Sequence, residues 1–565
     1  MPAKSIMDQS FTRWGFCRAL ILIPLSLFCL NVAAISIFGG YEIRFGFIHL
    51  TAHGLFKPIL MMNGCFIVAL MICGAGNRLH DDAPNSSDGR LDSPVFYKTL
   101  LIGLAILLAL IIYYPSASVN FHHHDWTHRH LSAEKDTLRS TWQFFTTGDA
   151  TGFYRPLGFI SLWLDYRLFG TAYEGYHVQS IALHIINSLL VAWLALALGF
   201  GRKCSFWAGL LFAAAAVNFE AVVWPAARFD LSAAAFTLLA LIFAIRYFRD
   251  TSIWSWALPA SLFCYVLGIL NKESSYCFPL LLLFIIATYS IWAIPRPARA
   301  KVLLYLSLVA AVTVLMLWVR IAVYGSLGGY PTAAGVPSFH FRVDIKTFTS
   351  LVRAIPIPIL GVNTTSAVRQ WGHLAPIMLV VPVLLTAFLC RGCFRRKECA
   401  LIAFILLSLA PVLNIVGWIG SWMQHSRYLY LPTVFAMLLI ASTVSKIRWS
   451  TGILGAFLFI NVLGAASNIQ VYRDMLQKAE ILANTVHFDW KRQPTARTIC
   501  LINLPENPDG VFYFGSEVVE RIGRKIPNAT ILRQDAYVST DSDASTRITY
   551  QWNEADRTLH LVERP

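Results

Sequence analysis

The chain has 565 residues, of which 56% are hydrophobic and only 14% charged, and its mean hydropathy is +0.57. Soluble domains have about a quarter of their residues charged, so this composition excludes an ordinary soluble protein and indicates a polytopic membrane protein. The net charge of +15 does not indicate nucleic-acid binding, because the lysines and arginines cluster in short loops between apolar segments, where they fit membrane topology and anionic lipid headgroups.

About thirteen apolar segments are long enough, or nearly long enough, to cross a bilayer. The first two, ending near residue 38 and covering 55–73, predict an uncleaved N-terminal hairpin of spans. The others are expected at roughly 99–114, 176–198, 204–217, 231–248, 254–270, 274–294, 301–319, 373–389, 399–419, 429–445 and 451–466. The predicted fold class is therefore an all-α polytopic membrane protein.

The tail from residue 468 is polar and differs from the rest of the chain. Strand-like segments at 498–503, 511–514, 546–551 and 558–562, separated by turn residues, predict a small α+β domain outside the membrane. We therefore expect three parts: an N-terminal transmembrane hairpin with a cytoplasmic loop at 1–95, a transmembrane domain with external loops at 96–467, and the α+β domain at 468–565.

The charges of the loops predict the orientation. With a cytoplasmic N-terminus, the basic loops fall on one side without rearrangement, as the positive-inside rule requires. The opposite face then receives the loop around Asp125, the segments 218–230 and 271–273, the segments 320–370 and 422–430, and the tail. The unusual charged and aromatic side chains therefore converge on the non-cytoplasmic face.

The stretch 116–165 is the first long polar interruption after an apolar run, and it contains Asp125 close to the expected membrane surface. A desolvated carboxylate has a raised pKa and is a better base; the alternative is a residue that caps a helix beginning near Trp126. Several histidines precede and follow it. Two interpretations of these histidines are compatible with the sequence: a metal site formed by His124 and Asp125, and a solvated loop whose charge depends on pH.

Charged side chains recur at the ends of later spans. They are Glu220, Arg228, Asp230, Lys272, Glu273, Arg320 and Arg427. Charged side chains this near the hydrocarbon cost free energy unless they face the bundle interior or one another. Because a guanidinium fork matches phosphate oxygens, the basic members suit a phosphate. Ion pairs that cap helices and snorkelling to lipid headgroups are the alternatives.

Six short motifs occur in one order along the chain. They are the Asp125 loop, Tyr154-Arg-Pro-Leu157, His184 with Asn187, Glu220 to Asp230, Lys272-Glu273 and Arg427-Tyr-Leu-Tyr-Leu-Pro432. In this order they resemble the GT-C glycosyltransferases, in particular bacterial relatives of the TMTC-type and, more distantly, PMT-type O-mannosyltransferases. The resemblance covers roughly residues 95–445. This chain departs from the family in having His124 where a second acidic residue is often found, and in carrying no TPR repeats.

The resemblance implies a GT-C-like enzyme of the bacterial inner membrane that transfers a sugar, with inversion, on the periplasmic side. The donor would be a polyprenyl-phosphate-linked sugar, and the acceptor a glycan, lipid or protein. By the same analogy Asp125 is the general base, and Lys272, Arg320 and Arg427 hold the departing phosphate. The side chains expected to contact substrate are Tyr154, Arg155, Glu220, Arg228, Asp230, Glu273, His425 and Tyr430.

No cofactor is required by this interpretation, although a divalent ion, Mg²⁺ or Mn²⁺, at His124 and Asp125 stays open. Membrane lipids are expected partners and nucleic acid is not. Two alternatives are a transporter or flippase for a lipid-linked glycan and a non-catalytic membrane scaffold. The sequence shows neither the internal repeat nor the mid-span carboxylate pairs that a transporter would favour.

Overall fold

The fold is known from a computed structural model, in which most of the described residues are helical. The described residues are 41–45, 48–52, 94–122, 125, 131–135, 137–147, 153–292, 294–325, 396–413, 425–447, 449–493, 496–505, 514–534, 547–553 and 557–563. The helices are α1 (Pro94–Tyr113), α2 (Leu138–Thr141), α3 (Gln143–Thr146), α4 (Pro156–Phe169), α5 (Tyr173–Ala197), α6 (Arg202–Ala214), α7 (Phe219–Val223), α8 (Arg228–Arg249), α9 (Ala257–Asn271), α10 (Phe278–Ala287), α11 (Arg299–Tyr324), α12 (Arg396–Ser408), α13 (Tyr430–Val444), α14 (Ser450–Lys491) and α15 (Phe514–Lys525). The strands are β1 (Tyr41–Phe45), β2 (Ile48–Ala52), β3 (Thr498–Ile502), β4 (Thr530–Gln534), β5 (Arg547–Asn553) and β6 (Thr558–Glu563).

Six helical segments in this part of the chain are long and apolar enough to cross a membrane, and the bent pair α6–α7 makes a seventh candidate. Two shorter apolar helices, Ala257–Asn271 and Glu273–Ala287, lie between them. The chain is therefore a multi-pass membrane protein. The two predicted N-terminal spans and the span at 373–389 lie outside the described residues, so the count of thirteen stays a prediction.

The buried core of the bundle is formed mainly by α5, α6, α8, α9 and α13. A Cβ on Gly209 would lie 2.8 Å from the Ser188 carbonyl oxygen, so glycine allows α5 and α6 to approach closely. By contrast, α11 exposes Trp318 and much of its apolar length. This is the arrangement expected of a helix whose outer face lies against lipid.

A buried polar cluster ties α5 to α13. Tyr430 is 1% exposed, and its hydroxyl lies 2.7 Å from His184 Nδ1 and accepts a hydrogen bond from Asn187 Nδ2 at 3.1 Å. A second bond runs from the same amide to the Leu231 carbonyl at 2.9 Å, which adds α8 to the cluster. His184 and Asn187, one of the six ordered motifs, therefore form part of the helix packing.

The tail folds as a four-stranded sheet in the order β4-β3-β5-β6 with α15 against it. Strand β3 runs parallel to β4 and β5, and β6 is antiparallel to β5. This matches the predicted small α+β character of the tail. Of the predicted strand 511–514, residues 511–513 lie outside the described residues, and Phe514 begins α15, whose buried Phe514, Val518 and Ile522 follow a helical period.

The last transmembrane helix continues into this domain. Helix α14 is 42 residues long and runs past residue 468, where the sequence placed the start of the tail, to Lys491. Its outer half packs against α15. The helix therefore joins the membrane bundle directly to the C-terminal domain.

Candidate active site

Asp125 lies in the loop that follows the short 3-10 turn Tyr114–Ser118, and it is only 5% exposed. Its Oδ2 accepts a hydrogen bond from the His122 backbone N–H at 2.9 Å, and its Oδ1 accepts one from the Ala226 N–H at 2.8 Å. Burial raises the pKa of Asp125 to about 7, although both backbone bonds act to lower it. The loop thus holds a rigid carboxylate that changes charge near neutral pH, which suits a proton acceptor.

Trp224 connects the Asp125 loop to the arginine of the Arg427 motif. The His122 ring meets the Trp224 ring edge-on with 5.4 Å between centroids. The Arg427 guanidinium carbon lies 4.7 Å from the centroid of the same indole. Because the His122 N–H donates to Asp125, Trp224 contacts both the residue that binds this carboxylate and the guanidinium of Arg427.

Every charged residue singled out at the span ends has an oppositely charged partner. The shortest atom pairs are Lys272 Nζ–Asp230 Oδ2 at 2.5 Å, Arg427 Nη1–Glu220 Oε1 at 2.5 Å, Arg155 Nη2–Glu273 Oε2 at 2.7 Å and Arg320 Nη1–Glu273 Oε1 at 3.1 Å, and Arg228 pairs with Asp165. These side chains are at most one-fifth exposed, so solvent screens the pairs weakly. The ion pairs at helix ends, which the sequence offered as an alternative, are therefore present in the structure.

Four of these cations, all except Arg228, form one connected cluster. Glu273 joins Arg155 to Arg320, and Lys272 directly precedes Glu273 in the chain. Tyr428 links the other side: its ring centroid lies 4.8 Å from Lys272 Nζ and 4.7 Å from the Arg427 guanidinium carbon. Four basic groups are thus connected, with Arg427 linked through Trp224 to the Asp125 loop, and we call Arg155, Lys272, Arg320 and Arg427 the cation cluster.

Arg228 lies outside this cluster. Besides its pair with Asp165, it donates to Ser180 Oγ at 3.2 Å, Ser161 Oγ at 3.3 Å and the Tyr176 carbonyl at 2.6 Å. These bonds join α4, α5 and α8. Arg228 therefore holds three helices together.

The remaining candidates lie around the cluster. Tyr154 donates to the Phe145 carbonyl at 3.2 Å, which fixes the loop ahead of α4. His425 is 5% exposed, has a φ of 60°, and its ring stacks on Tyr428 with centroids 5.5 Å apart. Tyr430, as described above, points into the contact between α5 and α13.

Three residues of this region were not predicted as site residues from the sequence: Asp165, Tyr428 and Trp224. Asp165 could have been found, because an acidic residue in the apolar stretch of α4 needs a buried cation as its partner. The two aromatic residues carried no such signal, since an aromatic side chain near a membrane surface is common for reasons of solvation alone.

The metal prediction stays a prediction. His124 lies outside the described residues. Within those that the structure describes, no three histidine, cysteine, aspartate or glutamate side chains come together as metal ligands.

No family model matches the chain. Protein O-mannosyl-transferase TMTC2 of Homo sapiens is 28% identical over 233 residues, which are 37% of this chain and 27% of that protein. Protein O-mannosyl-transferase F38B6.6 of Caenorhabditis elegans is 26% identical over 309 residues, 52% of this chain and 42% of that protein. The chain is similar to protein O-mannosyl-transferases. This confirms the resemblance predicted from the ordered motifs.

The matched parts leave much of each O-mannosyl-transferase uncovered, since the chain spans 27% and 42% of the length of these two relatives. Among solved structures, the crystal structure of ArnT from Cupriavidus metallidurans bound to undecaprenyl phosphate aligns with 82% of this chain and 94% of that chain, at a TM-score of 0.42 and 12% identity.

Proposed function

We propose that this protein is a GT-C-type glycosyltransferase of a bacterial inner membrane, with about thirteen spans. It transfers a sugar from a polyprenyl-phosphate-linked donor to a hydroxyl group of a protein, lipid or glycan acceptor. Mannose is the first sugar to test, because the curated relatives are named O-mannosyl-transferases. The catalytic domain is 96–467, and the site and the C-terminal domain face the periplasm.

The observation that supports the proposal is that the Asp125 loop and Arg427 of the cation cluster contact the same Trp224 ring. A buried carboxylate with a pKa of about 7 and a group of buried cations are the two charges that such a transfer needs. Trp224 connects them, since its ring contacts both Arg427 and His122, whose N–H donates to Asp125.

The proposed reaction begins at Asp125. Each carboxylate oxygen already accepts one backbone N–H, and each has a second lone pair. One of these accepts the proton of the acceptor hydroxyl as its oxygen forms a bond to the anomeric carbon. The bond from that carbon to the phosphate oxygen breaks on the opposite face, so the configuration inverts and the electron pair leaves with the polyprenyl phosphate.

The departing phosphate gains negative charge, and Lys272, Arg320 and Arg427 stabilise it. Asp230, Glu273 and Glu220 hold these cations in place. A phosphate that enters the cluster takes over part of their role as counter-charge. The pairs therefore orient the cations before the phosphate arrives, which limits the reorganisation needed in the reaction.

Other side chains shape the substrate pocket. Arg155 completes the cation cluster, and Tyr154 and His425 border it. Arg228 and Tyr430 stabilise the surrounding helices through their contacts with α5. A donor held by its lipid chain reaches this site by lateral diffusion, and no nucleotide-sugar fold is required.

The test uses the full chain reconstituted in vesicles with radiolabelled undecaprenyl-phosphate mannose. We expect release of undecaprenyl phosphate and transfer of label, and we expect Asp125→Asn to lose at least about 100-fold of this rate. Asp474→Asn, at an exposed position of α14, is the matched control and should keep the rate. Labelled donor that crosses the bilayer without losing its sugar would favour the flippase alternative instead.

A further inference from the structure

We propose that Arg521, in the C-terminal domain, is a positioning residue that fixes Asp125 through a single peptide unit. The inference rests on the proposed role of Asp125 as the general base. It gives the C-terminal domain a role in the reaction.

The contact is made at the peptide bond between Phe121 and His122. Arg521 Nη2 donates a hydrogen bond to the Phe121 carbonyl oxygen at 3.0 Å. The N–H of the same peptide unit belongs to His122 and donates to Asp125 Oδ2 at 2.9 Å. Since a peptide unit is planar and rigid, a bond that fixes its carbonyl also fixes the direction of its N–H. The guanidinium is therefore two hydrogen bonds away from the proposed base.

The guanidinium also strengthens the second bond. A positive charge at the carbonyl oxygen polarises the peptide, and hydrogen bonds in series in a medium of low dielectric strengthen one another. All three groups lie in such a medium: Arg521 is 4% exposed, Phe121 is 1% exposed and Asp125 is 5% exposed. The His122 N–H thus becomes a better donor to the carboxylate.

Arg521 is itself held from two sides. Its Nε lies 2.5 Å from Oε1 of Glu517, one turn earlier on α15, and its Nη1 pairs with Glu480 on α14. The carboxylates fix the side chain, and the remaining Nη2 reaches the Asp125 loop. The last transmembrane helix, the C-terminal domain and the loop of the proposed base therefore meet at one arginine.

A purely structural role makes a different prediction. If Arg521 only docked α15 on α14, its pairs with Glu517 and Glu480 would be sufficient, and the Asp125 loop would not respond to its loss. The hydrogen bond to the Phe121 carbonyl predicts instead that loss of Arg521 loosens the Asp125 loop before it loosens the contact between α15 and α14.

The experiment compares Arg521→Met and Arg521→Lys in the full chain. Arg524→Met is the control, because Arg524 lies one turn further on the same helix and pairs with Glu520 at 3.6 Å. The first readout is amide hydrogen exchange, measured by mass spectrometry, at His122 and Asp125, whose backbone N–H groups donate to Asp125 Oδ2 and to the His122 carbonyl. We expect faster exchange there in R521M, a smaller effect in R521K, and none in R524M.

The second readout is the kinetics of donor turnover with undecaprenyl-phosphate mannose. A misplaced base slows the chemical step without weakening donor binding, so kcat should fall about tenfold in R521M while KM for the donor stays the same. Lysine keeps a donor of similar reach and should recover part of kcat.

The outcomes separate this inference from the proposed function. Unchanged exchange at His122 and Asp125 in both variants would overturn the positioning role, and so would exchange that rises only along α14 and α15. Donor turnover that survives Asp125→Asn would overturn the proposed function, whereas loss in D125N together with wild-type kcat in R521M would overturn only the role of Arg521.

Discussion

The pair of Glu220 and Arg427 offers a specific test of the proposed phosphate site. Glu220 Oε1 accepts from Arg427 Nη1 at 2.5 Å, and its Oε2 accepts from the Arg427 backbone N–H at 3.0 Å and from Ser426 Oγ at 3.3 Å. Glu220→Gln keeps the shape of the side chain and one oxygen acceptor. It removes the negative charge that faces the guanidinium.

The size of the effect follows from burial. The two side chains are only 6% and 9% exposed, so water screens the pair little. Breaking such a pair by removing one partner costs about 3–5 kcal/mol of folding stability. Because the glutamine oxygen keeps part of the hydrogen bonding, we expect a loss near the lower end, about 3 kcal/mol.

Binding should change in the opposite direction. A lipid phosphate that reaches Arg427 in the variant supplies the missing negative charge and has no carboxylate to displace. A gain of about 1.4 kcal/mol from this source would tighten the Kd for undecaprenyl phosphate about tenfold. The variant is therefore expected to be less stable when empty and more strongly stabilised by the lipid.

The assay is thermal unfolding in detergent across a titration of undecaprenyl phosphate, from which the Kd follows by linkage. Glu398→Gln is the matched control, because Glu398 is 2% exposed and pairs with Lys446 at 2.7 Å on a different pair of helix ends. It should lower Tm and leave the lipid Kd unchanged. If E220Q lowered Tm but bound the lipid with the wild-type Kd, Arg427 would not be a phosphate ligand.

Three further predictions follow from the same geometry. Lys272→Met should lower kcat for donor turnover by about 10²–10³, because it removes one cation from the departing phosphate; a wild-type kcat in steady-state kinetics would remove Lys272 from the site. Gly158→Ala should lower Tm, since its Cβ would lie 2.4 Å from the Phe229 ring, whereas Gly452→Ala, with nothing within 4 Å, should leave Tm unchanged in the same scan. Because burial raises the pKa of Asp125 to about 7 and only its carboxylate accepts a proton, donor turnover should rise with pH up to about 7 and then level off; a flat rate between pH 5 and 7 would contradict this assignment.

The sequence could predict that these charges lie at span ends, because that position is a property of the local sequence. The alternation of spans was enough to place Lys272, Glu273 and Arg427 at one end of the bundle. It could not predict their partners. Glu273 binds Arg155, which is 118 residues earlier, and that pairing depends on the rotation of α9 and on the loop before α4.

Helix α14 shows a second limit. Hydropathy locates the point where a helix leaves the hydrocarbon, and the sequence becomes polar near residue 468. The helix itself continues because no glycine or proline lies between residue 468 and Pro494. The positions of glycine and proline, taken together with hydropathy, would have predicted that α14 extends beyond residue 468.

The contact of Arg521 with Phe121 was beyond prediction, since 400 residues separate the two partners. Nothing local marks Arg521 as different from Arg524 on the same amphipathic helix. Only the docking of the C-terminal domain on α14 shows which of the two faces the Asp125 loop.

The most direct test of the account is the rate of the chemical step in a single turnover, measured with undecaprenyl-phosphate mannose bound at saturation to wild-type protein and to Asp125→Asn. The account predicts that the variant binds the donor with an unchanged Kd, and that sugar transfer is slower by about 100-fold or more. Equal single-turnover rates in the two proteins would contradict it, because the acceptor proton would then have to leave by a route that does not involve Asp125.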